Sequence, residues 1–172
     1  MRRSSTQKGF TLLEFVIYIT LVVGILVTAT TFAWNIVNSR TKAFAIQEVQ
    51  QNGRFIMNKI AQEVRGAQDI TTPVIGVPGD TLEVVVRDVA KDPIIFSLSD
   101  GKLSMSAAGG TTYNLHSGAI TVSALQFTNV SSTDDASRNV QVQVTLEYKN
   151  PENRSEREFS ETFMTTIELR DR

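Results

Sequence analysis

Hydrophobic and polar residues follow three successive patterns along this chain, and the first is a long run without charge. The run begins with Phe15, ends with Ser39 and contains no Asp, Glu, Lys or Arg. A helix rises about 1.5 Å per residue, so a helix over this run can cross the roughly 30 Å hydrocarbon core of a bilayer. The pattern therefore predicts a transmembrane segment over Phe15–Ser39, within a helix that covers residues 10–39.

Apolar residues then recur at steps of three and four, a spacing typical of one face of an amphipathic helix. This spacing predicts that the same helix continues over residues 40–69, leaves the membrane at Arg40 and ends near Gly66. Glycine in a helix interior costs about 1 kcal/mol, so Gly53 indicates either a bend or the close approach of a strand. The apolar stripe consists of Ile46, Val49, Gly53, Ile56, Ile60, Val64 and Ala67.

Further along the chain the hydrophobic spacing changes to two, which is typical of β-strands with one buried face. The clearest alternation covers residues 140–148, and residues 99–101, Ser-Asp-Gly, indicate a hairpin turn. A helix followed by strands predicts an α+β fold, with a mainly antiparallel sheet packed on the helix in a domain over residues 70–172. The expected strands cover residues 82–87, 94–98, 102–105, 111–115, 120–127, 140–148 and 159–169.

Composition narrows the possible functions. The 172 residues carry a net charge of −1, so the chain lacks the excess of positive charge that is typical of nucleic-acid-binding domains. The chain has no cysteine, so disulfides, zinc–thiolate sites and thiol chemistry are excluded. The residues that follow the uncharged run suffice for one globular domain.

The N-terminal border of the uncharged run carries a basic leader and a single carboxylate. Its sequence is Lys8-Gly9-Phe10-Thr11-Leu12-Leu13-Glu14. A carboxylate costs roughly 2.5–3.5 kcal/mol when carried to the centre of a bilayer, so Glu14 is expected to need a partner. A plain signal anchor would explain the basic N-terminus but not this carboxylate, and a cleaved secretory signal has a shorter apolar core of about 7–15 residues.

This junction resembles the N-terminus of type IV prepilins, a family that includes pilins and the pseudopilins of type II secretion. The resemblance implies that residues 1–9 are a leader and that a prepilin peptidase cuts between Gly9 and Phe10. The same enzyme would methylate the new amino group of Phe10. Glu14 would be the assembly carboxylate, which pairs with the Phe10 ammonium of a neighbouring subunit.

The resemblance also implies where the protein acts and what it contacts. The chain would cross the cytoplasmic membrane once, with its N-terminus in the cytoplasm and its C-terminal domain outside, before it enters a pilus or pseudopilus. Its partners would be the prepilin peptidase, the membrane, an assembly platform, and other pilin or pseudopilin subunits contacted through the N-terminal helix. No enzymatic activity, cofactor or metal is expected.

The helix end over residues 52–65 looks like that of larger minor subunits, the J-type minor pseudopilin and the W-type minor pilin. Residues 96–103, 125–127 and 167–170 fit the same pattern. This similarity implies a place in a tip or priming complex rather than in the repeating shaft. Major subunits usually have proline at the position of Thr31, so the membrane helix here is expected to be straighter or to melt elsewhere, for instance near Gly24.

Two other classes of function stay open at this point. The first is a membrane-anchored extracytoplasmic binding module that never polymerises. Processing at Gly9 and dependence on Glu14 would separate this module from a filament subunit. The second is an anchored enzyme, which is disfavoured because the chain has a single histidine, His116, and no nucleophile or phosphate-loop motif.

The remaining candidate sites are weak. His116 is expected to lie in a loop rather than to act as a general base. Asp134 and Asp135 could contribute to a Ca²⁺ site, although their spacing is not that of an EF-hand and a solvated loop is favoured. Asn129 and Asn153 match the glycosylation sequon, which occurs often by chance.

Overall fold

The computed structural model describes residues 9–134, 137–152 and 157–170. They form one long α-helix, α1, over Leu12–Gly66, followed by β-strands. The chain divides into two compact units, the first up to Arg40 and the second from Thr41 onward. The predicted α+β class is confirmed.

Helix α1 is 55 residues long; it begins two residues after the predicted start at residue 10 and ends at Gly66, three residues before the end of the predicted continuation over residues 40–69. In the second unit it buries one stripe of small and aliphatic side chains at steps of three and four. On another face, Lys59 forms an ion pair with Glu63, one turn further along. The buried stripe consists of Ala45, Val49, Gly53, Ile56, Ile60 and Val64.

The strands form two sheets, where the sequence predicts a single one. One sheet has five strands in the order β1-β3-β4-β5-β6, the other has four in the order β2-β7-β8-β9, and all neighbours are antiparallel. The bounds are β1 Ala67–Thr72, β2 Pro78–Gly79, β3 Thr81–Val86, β4 Ile94–Ser99, β5 Lys102–Ala107, β6 Tyr113–Asn114, β7 Ile120–Asn129, β8 Asn139–Tyr148 and β9 Ser160–Glu168.

Three edge strands differ from the prediction. The sequence does not predict β1 or β2, and β6 is shorter than the expected strand over residues 111–115. Each of these strands pairs on one side only and buries little, so its sequence lacks the apolar alternation that marks a half-buried strand. Strand β1 follows the helix without a connecting loop, since α1 ends at Gly66 and β1 begins at the next residue.

The predicted hairpin at residues 99–101 joins β4 to β5. Asp100 and Gly101 both have positive φ, of 51° and 69° respectively, as the two central residues of a type I′ turn require. Ser99 and Lys102 close the paired strands around the turn. The turn prediction is therefore confirmed.

The core lies between α1 and the two sheets. Phe96 from the five-stranded sheet and Phe127 from the four-stranded sheet are fully buried, as are Ile56 and Ile60 of the helix. All four belong to a single cluster of buried residues. The amphipathic part of α1 thus supplies apolar surface to a core that both sheets share.

Gly53 is the point of closest approach between the helix and β9. A Cβ atom added at Gly53 would lie 2.2 Å from Cζ of Phe163, far inside van der Waals contact. The ring of Phe163 therefore occupies the space that any side chain at this helix position would need. Of the two predicted interpretations of Gly53, the close approach of a strand is confirmed.

We expect Gly53→Ala to lower the free energy of unfolding by about 1–3 kcal/mol, because the new methyl group overlaps the ring of Phe163. The thermal unfolding of the full chain in detergent, followed by circular dichroism, measures this change. Gly66→Ala is the matched control, because a Cβ there meets no atom within 4 Å. If Gly53→Ala unfolds at the same temperature as Gly66→Ala, the close packing is contradicted.

Candidate functional site

The residues of the prepilin-like junction lie at the start of α1. Gly9 and Phe10 are exposed and precede the helix, so the peptide bond between them is accessible. Oγ1 of Thr11 accepts a hydrogen bond from the backbone N–H of Glu14 at 3.3 Å, which caps the helix. Thr followed three residues later by Glu is the capping-box pattern, and a carboxylate in the first turn also interacts favourably with the helix dipole.

Tyr18 connects the two side chains to which the resemblance gives a role. Its hydroxyl donates a hydrogen bond to Oε1 of Glu14 at 3.2 Å. Its ring packs edge-to-face against Phe10, with centroids 6.2 Å apart and planes at 70°. Tyr18 was not predicted to have a role, although its spacing of four residues from Glu14 places both on one helix face.

The apolar surface of α1 before Arg40 is exposed on every side. Leu21 is 58% exposed, Val27 60% and Phe32 68%, and the most apolar 18-residue window of the helix has no buried residue. Within the described part of the chain, this is the one helix long and apolar enough to cross a membrane. So large an apolar surface needs lipid or other apolar helices to cover it.

The threonine side chains of the uncharged run form hydrogen bonds within the helix. Four threonine hydroxyls donate to backbone carbonyls about one turn earlier, so none of them needs water. Internal pairing of this kind is what a membrane interior requires of polar groups. The hydroxyl donors and carbonyl acceptors are Thr20 to Val16 at 2.8 Å, Thr28 to Ile25 at 2.9 Å, Thr30 to Leu26 at 2.8 Å and Thr31 to Val27 at 2.9 Å.

His116 holds the loop between β6 and β7 in place. Its Nε2 accepts a hydrogen bond from the backbone N–H of Leu103 at 3.2 Å, so Nδ1 carries the proton and donates to the carbonyl oxygen of Ser117 at 2.9 Å. Ser117 is in turn bound to the helix, through its backbone N–H to Asn52 Oδ1 and its hydroxyl to Glu48 Oε1. With both ring nitrogens engaged by backbone, His116 has a structural role in this conformation.

The other weak candidates gain no support. Among the residues that the structure describes, no group of three or more acidic or histidine side chains could hold a metal ion. Asp134 accepts a hydrogen bond from the Ser132 hydroxyl, and Asp135 lies outside the described residues.

The side chain of Asn129 is buried and donates to the carbonyl oxygen of Pro73 at 3.1 Å, so it is not presented for glycosylation. Asn153 and residues 1–8 of the predicted leader also lie outside the described part.

If the exposed helix spans a membrane, a cysteine introduced on it should react more slowly with a water-soluble reagent than a cysteine introduced in the second unit. The two can be compared directly because the chain has no native cysteine. In membrane vesicles, a cysteine at Val27 should resist a membrane-impermeant maleimide, since lipid surrounds it. A cysteine at Val89, which is 87% exposed in the second unit, should react readily when its side of the membrane is accessible. Both variants should react fully after denaturation in SDS. Labelling of Val27→Cys in vesicles as fast as that of Val89→Cys would contradict a membrane-spanning helix.

Comparisons of the chain with protein-family models, with curated proteins and with solved structures find no match. A function for the chain therefore has to be inferred from the junction around Gly9 and Glu14, from the exposed helix and from the β domain.

Proposed function

We propose that this chain is a type IV pilin-like subunit of the minor class. In this proposal a prepilin peptidase removes residues 1–9 and methylates Phe10, and the helix then carries the subunit into a pilus or a secretion pseudopilus. One observation carries the proposal: a helix with an exposed, uncharged apolar surface begins with a single carboxylate, Glu14, just after an accessible Gly9–Phe10 bond. A plain membrane anchor requires neither feature.

Processing at Gly9 would change the charge at the start of the helix. Hydrolysis of the Gly9–Phe10 bond separates the basic leader from the rest of the chain and creates an ammonium group on Phe10. The bond lies before the first helical residue, Leu12, so a protease can bind it as extended chain without unwinding α1. Glycine before the cut also presents no side chain to a narrow cleft.

In the proposed filament, the Glu14 carboxylate pairs with the ammonium group of a neighbouring subunit. Oε1 of Glu14 accepts the hydrogen bond from Tyr18, which leaves Oε2 for the ammonium of a neighbouring Phe10. Two opposite charges in a poor dielectric offset much of the desolvation penalty that each suffers alone, provided their geometry is good. Such a pair would draw an incoming subunit into the bundle of helices and set its axial register.

The β domain would then lie outside the cytoplasmic membrane, and the leader side of the helix would face the cytoplasm. In a minor subunit this domain contacts other subunits at the tip or in a priming complex. A membrane-anchored binding module that does not polymerise is the alternative. It would have the same fold but would need neither cleavage after Gly9 nor a charge on Glu14.

We expect Glu14→Gln to reduce assembly about tenfold or more while leaving membrane insertion unchanged, because the amide cannot pair as a charge with the ammonium of a neighbour. The measurement compares the amounts of the chain in sheared filaments and in membranes, in cells that contain the complete assembly machinery.

Glu147→Gln is the matched control, because Glu147 is an exposed carboxylate on β8 that the proposal gives no role. This variant should assemble like the wild type. Equal assembly of Glu14→Gln and the wild type would contradict the role of Glu14. A wild-type chain that stays in the membrane in such cells would favour the non-polymerising binding module.

A further inference from the structure

Strand β9 forms an edge of the four-stranded sheet. It pairs with β8 along all nine of its residues, from Ser160 to Glu168, without a register shift, and no strand of the described residues lies on its far side. An edge strand presents a row of backbone N–H and C=O groups that can bind another extended chain.

The register identifies the residues of β9 whose backbone faces outward. Tyr148 N–H donates to the carbonyl oxygen of Phe159 at 3.0 Å, and Leu169 N–H donates to that of Arg138 at 2.9 Å. These two pairs fix the alternation of the antiparallel ladder, so the odd-numbered residues of β9 bond to β8 and the even-numbered ones face away. The outward-facing residues are Ser160, Thr162, Met164, Thr166 and Glu168.

The open edge lacks several of the features that usually prevent strand addition. Within β9 there is no proline, lysine or bulge. By contrast, the edge strand β1 carries two register shifts, and the edge strands β2 and β6 have only two residues each. Just past the end of β9, Arg170 N–H donates to the carbonyl oxygen of Arg65 at 3.3 Å, so the helix end closes the edge there.

A groove runs alongside this edge, between β9 and the second unit's part of α1. Its volume is about 530 Å³, enough for several side chains of an added strand. Met164, at the centre of β9, is 62% exposed beside it. The apolar lining consists of Met57, Ala61, Phe163, Met164 and Ile167, and the polar lining includes Arg65.

The two ends of the edge carry opposite charges. Near the start of β9, Oε2 of Glu161 is buried and has no hydrogen-bond partner within the described parts of the chain. Near the other end, Arg65 lines the groove. The side chain of Glu161 as a whole is half-buried and that of Arg65 is exposed, so a segment with a basic residue at one end and an acidic residue at the other would complement both charges.

We propose that β9 is a docking edge that accepts an extended segment of a neighbouring filament subunit as an additional strand. The segment has apolar side chains at every second position, which enter the groove, a basic residue that meets Glu161 and an acidic residue that meets Arg65. The five outward-facing residues of β9 supply the backbone hydrogen bonds, and the groove supplies the specificity. The identity of the partner as a filament subunit rests on the proposed function.

Amide hydrogen exchange tests this docking edge residue by residue. In the free full-length chain in detergent, the even-numbered amides of β9 should exchange rapidly and the odd-numbered amides slowly, because only the latter bond to β8. In sheared filaments that contain the chain, the even-numbered amides should slow by about tenfold or more while the odd-numbered ones stay slow. Even-numbered amides that remain fast in filaments would overturn the docking edge.

Met164→Pro provides a second test. It removes an outward N–H from the centre of β9 without removing a bond to β8, and an edge strand tolerates proline at such a position. We expect its unfolding temperature to stay close to that of the wild type and its incorporation into filaments to fall several-fold. Thr165→Pro is the contrasting variant, because it removes an inward bond and should destabilise the domain.

The outcomes separate this proposal from the proposed function. A folded Met164→Pro chain that assembles as well as the wild type overturns the docking edge alone. The docking edge alone is also overturned if the chain is processed after Gly9 and enters filaments while the even-numbered amides of β9 still exchange rapidly. A wild-type chain that never enters filaments overturns both the docking edge and the pilin-like function.

Discussion

The uncharged apolar surface of α1 between the helix start and Arg40 is unfavourable in water and needs lipid or other helices to cover it. The rest of the account depends on this constraint. No described residue covers that surface, and the threonine hydroxyls within it are already paired with backbone carbonyls. Lipid can cover such a helix, and so can a bundle of similar helices. Glu14 matters because it is the single carboxylate at this border, held by the Thr11 cap and the Tyr18 hydroxyl at a helix end where a neighbouring ammonium could reach it.

In the second unit, the same helix packs against the β-sheets of a globular domain. From Thr41 onward α1 has one apolar stripe, and this stripe is buried in a core shared by two sheets. Gly53 lets Phe163 of β9 pack against the helix backbone, and the network of Glu48, Asn52 and Ser117 fixes a loop to the same helix. The domain is therefore organised around the helix and leaves β9 open at its outer edge.

Sequence alone predicts those parts of the structure that depend on local pattern. The bounds of α1 to within three residues, the turn at residues 99–101 and the close approach at Gly53, as one of two interpretations, follow from periodicity and from glycine's special conformational properties. The edge strand β1 and the division into two sheets depend on long-range pairing, which leaves little trace in a sequence that buries few residues. The contact of Tyr18 with Glu14 and the open edge of β9 likewise require the structure. The processing of Gly9 and Phe10 stays a prediction.

The most direct test of the account is the mass of the chain after expression with and without an active prepilin peptidase. The account predicts that the peptidase removes residues 1–9 and leaves one additional methyl group on the peptide that begins with Phe10. Without the peptidase, or with a bulky residue in place of Gly9, the chain should keep its full length. A full-length, unmethylated chain in membranes that contain active peptidase would contradict the pilin-like function and leave an anchored β domain.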